Sequence, residues 1–157
     1  MALDISRMGD LSSIGLLADK VLLQLHYLQE RPRLHDINTA IFQRASNYLA
    51  CAIEGISRVD SLELSEGTVF AVDAYEAVSR AIVPPTTEDI EHTAHFVTIL
   101  KSSCDQFASG NLDLDADNIA QMNLFFTRLS QYATEERSLI LQSAASESLY
   151  RTAFRYA

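Results

Sequence analysis

The residues best suited to chemistry lie in TTEDIEHTAH, residues 86–95. On a helix, Glu88 and His92 stand four residues apart, Asp89 and His92 three, and Glu91 and His95 four. Carboxylate and imidazole groups on one helix face are the donors that divalent transition metals take. A di-metal carboxylate bundle needs Glu-x-x-His on two helices and glutamates from two more. The chain contains no Glu-x-x-His, and Asp89–His92 is the nearest match. His26 and His35 lie apart and are assigned no carboxylate partner. Glu88, His92 and His95 therefore read first as a solvated helix start with Glu–His pairs. A metal-dependent enzyme at these three residues is the third functional reading. No metal and no cofactor is expected.

A second constellation is Asp113, Asp115 and Asp117. Alternating aspartates open a calcium loop, but that loop needs glycine at its sixth position and a bidentate glutamate at its twelfth. Asn118 and Leu124 stand there, so an acidic loop that caps the next helix explains the aspartates better. Nucleophilic catalysis has little support. No Gly-x-Ser-x-Gly stands in the chain, and neither Cys51 nor Cys104 has a histidine nearby in sequence. Five scattered glycines form no phosphate-cradling loop. The expectation is a protein that is not an enzyme.

The remaining candidates are surfaces. Leu11 to Leu28 reads LSSIGLLADKVLLQLHYL. At 3.6 residues per turn, Leu11, Ile14, Ala18, Val21, Leu25 and Leu28 form one apolar stripe. Leu17, Leu22 and Leu23 widen it, and Leu16 and Tyr27 lie further round. An outer helix of a bundle needs roughly a 100° stripe, and this one exceeds that. The excess marks Leu16, Leu17, Leu23 and Tyr27 as candidate interface residues. At the other end, SLYRTAFRYA sets Tyr150, Arg151, Phe154 and Arg155 on adjacent helical strips. Arginine with aromatics is the composition of binding hot spots. Docking of this tail on its own acidic domain is the favoured reading, with an intermolecular contact as the alternative.

Charge is uneven along the chain. Its 157 residues carry a net −9. Residues 54–91 hold nine carboxylates against two arginines, a net −7, whereas residues 1–50 balance. From Arg137 to Ala157 three arginines face Glu147, a net +2. A nucleic-acid binder needs clustered cations, so direct binding of nucleic acid is not expected. An acidic face suits a basic protein partner.

These groups need elements to position them. Length suits one domain, and scarce glycine (5) and proline (3) favour helix. Residues 1–9 read as a flexible lead-in and 10–157 as the bundle domain, with Asp10 or Ser12 capping the first helix. Pro32 stops that helix near Glu30. Asp36 caps a second helix, which ends around Arg58 to Asp60. A third covers Thr68 to Val83, although Thr68 to Val72 also suits a strand. Pro84 and Pro85 end it. Thr86 or Thr87 caps the fourth, and Gly110 stops it. Asp115 or Asp117 starts the fifth, and residues 118–157 fit one long helix or two. The expected fold is an all-α bundle of five or six mostly antiparallel helices.

The apolar run at the N-terminus is too short, and too charged at Asp19 and Lys20, to span a bilayer. It also lacks the basic start of a signal peptide. No membrane partner is expected, the cysteines are expected to be free, and a cytoplasmic location follows. The leading function is a non-enzymatic interaction module, such as a helical adaptor, chaperone-like partner or assembly subunit. It would act through the apolar helix 10–30, the acidic face of residues 54–91, or both, and self-association into a homo-oligomer is expected. The runner-up is an acidic inhibitor or antitoxin-like protein that blocks a basic nucleic-acid-binding partner.

Overall fold

The computed structural model describes residues 5–30, 37–58, 66–82, 90–113 and 115–155. Within them, the side chains of residues 5–6, 66–69, 90–91 and 147–155 are not described. Five helices follow in order: α1 (Ile5–Glu30), α2 (Thr39–Arg58), α3 (Glu66–Ala81), α4 (Ile90–Ala108) and α5 (Ala116–Arg155). No strand occurs among the described residues. The fold is an all-α bundle, and residues 68–72 are helical.

The helices pair antiparallel in two sets. α1 lies along α5: Arg7 reaches Glu136 at 3.0 Å, a Cβ on Gly15 would touch the Ala133 methyl at 3.4 Å, and Ser130 donates to Asp19 at 2.7 Å. α2 lies along both α3 and α4. Against α3 the approach is very close, because a Cβ on Gly55 would fall on the Ala71 carbonyl. The face that α3 buries is accordingly made of Ala71, Ala74, Ala77, Val78 and Ala81, with Ile82 buried just after it. Its bulkier Val72 and Tyr75 are only partly covered. Small side chains let the two backbones meet, and that contact replaces the volume that branched residues would fill.

Against α4, α2 stacks Phe42 on Phe107 with ring centroids 4.9 Å apart. Beside them Ser46 donates to Asp105, which Lys101 also grips at 2.9 Å. Burial pushes the Asp105 pKa up, but these two partners outweigh it and hold the carboxyl below its ordinary range. Phe42, Phe107, Phe125 and Phe126 are all fully buried. Each contributes on the order of 2–3 kcal/mol by leaving water.

Helix ends follow local chemistry. Asn38 caps α2, its Oδ1 accepting from the Ala40 amide at 3.2 Å. Asp36, expected in that role, lies outside the described residues, as do Thr86 and Thr87. α4 ends in a Schellman turn: the Asn111 amide bonds Gln106 O, the Gly110 amide bonds Phe107 O, and Gly110 takes φ 91°. Asp115 caps α5 by accepting from the Asp117 amide at 3.2 Å.

The start of the first helix differs from the sequence reading. α1 starts at Ile5 rather than at Asp10 or Ser12, so residues 5–9 are helical and not a lead-in. Ser12 sits inside that helix and donates to Met8 O. Arg7 anchors the early turn: burial lowers its pKa, but the Tyr132 hydroxyl and the Glu136 carboxylate outweigh this and raise it. α5 is one helix of 40 residues, one of the two readings that the sequence left open. At 1.5 Å per residue it is about 60 Å long, against about 39 Å for α1.

Candidate functional site

The first candidate surface comes from the geometry of α1. Its buried stripe is Leu11, Ile14, Ala18, Val21, Leu25 and Leu28. Leu16, Leu23 and Tyr27 lie on the opposite side, a half-turn away at 100° per residue. They are 56 %, 47 % and 38 % exposed. The helix is thus apolar on two opposed faces, one inside the bundle and one in solvent. The two leucines are seven residues apart, the repeat of a helix–helix seam, with Lys20 between them. Leu17 does not join them. It is half-buried and packs against the core.

The second surface is the far half of α5. Up to Ala133 this helix buries Met122, Phe125, Phe126 and Leu129. Among the described residues 134–146 no side chain is buried. Leu139 and Leu141 are 57 % and 49 % exposed. Tyr150, Arg151, Phe154 and Arg155 lie further along the same helix, with side chains outside those described. No glycine or proline follows Gly110, and α5 is unbroken from Ala116 to Arg155. The favoured expectation, docking on its own domain, falls on side chains outside those described.

The candidate chemistry is dispersed. His92 and His95 stand exposed on α4, and Glu88 lies outside the described residues. No group of three or more potential metal ligands occurs among the described residues. Asp113 is exposed on the loop, where its amide donates to Asn111, and Asp115 is spent on its cap. His26 has a carboxylate partner after all: Glu30, one turn on, at 3.4 Å. Cys51 and Cys104 are free thiols. Burial raises the pKa of both, that of Cys104 to about 12.

Titratable groups concentrate where α1, α3 and α5 meet. Arg7, Asp10, Asp73, Glu76 and Tyr132 surround a cavity of about 20 Å³, room for one water. A wider cleft of about 350 Å³ opens beside it between α3 and α5. Its two arginines are occupied: Arg80 faces Glu76 at 3.7 Å, and Arg128 donates to the Arg80 carbonyl at 3.4 Å. The second contact puts a cation at the C-terminal end of α3, where the helix dipole favours one.

Two roles escaped the sequence. Gln24, a polar residue within the apolar run, is buried and accepts from the Asn38 amide at 2.8 Å, tying α1 to the start of α2. The Tyr48 hydroxyl is buried with no hydrogen-bond partner among the described residues, and burial raises its pKa. No helix among the described residues is long and apolar enough to cross a membrane. Compared with protein-family models, curated proteins and solved structures, the chain finds no significant match in any of the three.

Proposed function

We propose that the protein is a non-enzymatic interaction module that docks partners on apolar helix faces left outside its core. The observation that carries this reading is the second face of α1. Leu16, Leu23 and Tyr27 stay exposed while the opposite stripe of the same helix is fully used. Apolar side chains in water cost about 25 cal/mol per Å² relative to burial. A seam of them at heptad spacing fits another helix better than it fits a small ligand. The segregated charge of the chain supplies orientation for such a contact.

The test is the double variant Leu16→Glu/Leu23→Glu in the full chain. Both side chains are exposed, so helicity and melting temperature should stay near wild type. Immobilised wild-type chain should retain a protein, or a second copy of itself, that the double variant loses. Identical retention by both, or none by either, contradicts the reading.

A further inference from the structure

The reading above leaves the occupant of these faces unnamed, and the far half of α5 names one. From Arg137 to Arg155 the helix runs 19 residues, about 28 Å. Helices of this length are marginal in water without a packed face. This one carries Leu139 and Leu141 exposed, and Leu149 and Phe154 follow in sequence. Its residues are net +2, so the rest of the chain is net −11. The unpartnered helix and its electrostatic complement belong to the same molecule.

The helix continues unbroken to Arg155, and no described side chain from 137 to 146 is buried against the bundle. It leaves the bundle where α1 begins, α2 ends and α3 begins. Three contacts fix this end: Arg7 with Glu136, Gly55 against Ala71, and Tyr132 beside Asp73 and Glu76. Here Asp10, Asp73 and Glu76 gather, with Glu54 near the end of α2. With Glu136, five carboxylates stand here against Arg7, Arg58 and Arg80, so this end is negative by count. A second copy brought to it two-fold would offer the same acidic end to the first copy's cationic helix.

Resting on the interaction reading, we infer that two copies exchange their α5 extensions: Arg137–Arg155 of each lies on the acidic α2–α3 end of the other. The contact is isologous and closes, as a two-fold dimer must. Half the circumference of each extension, with the surface it covers, amounts to about 1,700 Å² over two extensions, the size of a stable interface. Opposite charge sets the direction of docking, and the leucines supply its apolar area.

Light scattering on the full chain tests this, at low and high salt. Wild type should be a dimer at low salt and dissociate as salt screens the contact. Arg151→Glu/Arg155→Glu and, separately, Leu139→Glu should each raise the dissociation constant about tenfold or more. Glu54→Lys/Glu76→Lys should weaken self-association as well. Mixing it with the arginine-reversed chain should restore a mixed dimer. A monomer at every salt concentration overturns the inference, as does a monomer that adsorbs to anionic vesicles through Arg151 and Arg155. So does a dimer indifferent to salt or to the arginine reversal. A dimer lost only in Leu16→Glu/Leu23→Glu sinks the exchange and leaves the interaction module standing. A monomer that also retains no protein ends both.

Discussion

The two halves of α5 are one continuous helix with opposite fates. Between Met122 and Ala133 the stripe of Met122, Phe125, Phe126 and Leu129 is swallowed by the bundle, Phe125 meeting Phe126 edge-on at 5.0 Å, and only the outer Leu124 stays exposed. Beyond Glu136 the same kind of residue, Leu139 or Leu141, stands in solvent. Composition does not separate them. The partner helix does, because α1 has 26 residues against the 40 of α5 and runs out. An apolar stripe is a demand for a neighbour, and only the bundle's length decides whether this chain supplies it.

Substitutions should sharpen that contrast. Phe126→Ala, in the covered half, should cost about 4 kcal/mol in chemical denaturation, because its fully buried ring leaves a cavity. A loss below about 1 kcal/mol would mean the near half is not packed as described. Gly55→Ala should cost about 3 kcal/mol, since the new methyl meets the Ala71 carbonyl and α2 and α3 must part. A neutral result would contradict that close approach.

Tyr48→Phe runs the other way. It removes a buried hydroxyl without a partner among the described residues, so stability should hold or rise by up to about 1 kcal/mol. A clear loss would reveal a bound water or an acceptor at that atom. Asp105 gives a smaller, pH-gated effect. Its folded pKa lies below the ordinary value, so its stabilisation is complete above about pH 4 and fades as pH falls through the folded value. Wild type should melt above Asp105→Asn at neutral pH, and the gap should close on acidification below about pH 4. A gap that widens in acid would reverse the sign. The smallest change should come from the uncovered half: Leu139→Ala should shift monomer stability by no more than about 0.5 kcal/mol. A loss like that of Phe126→Ala would erase the contrast.

Much of the core was legible from spacing alone. Leu11, Ile14, Ala18, Val21, Leu25 and Leu28 are buried as their period requires, as are Val97, Leu100, Cys104 and Phe107. Periodicity reports which side of a helix is apolar, and it needs no knowledge of the neighbour. Leu16, Leu23 and Tyr27 were readable for the same reason, as apolar residues beyond one stripe. Leu17 was misplaced because it lies on the shoulder between the faces, where the neighbour decides. The burial of Gln24 carries no local signal, because its partner, the Asn38 amide, sits across a connector. The Gly15–Ala133 and Gly55–Ala71 contacts depend on which helices pair, and no local signal in the chain encodes that. The start of α1 at Ile5 was hidden because its anchor, Glu136, lies 129 residues away. The unity of α5 was left open because the absence of breakers permits a long helix without requiring one.

The account turns on whether the far half of α5 is covered by another molecule of the same chain. Amide hydrogen exchange over residues 137–155, followed as protein concentration rises at low salt, addresses this directly. Protection should appear in that stretch with concentration and disappear when salt is added, while amides of residues 122–133 stay slow throughout. Rapid exchange over 137–155 at every concentration would contradict it.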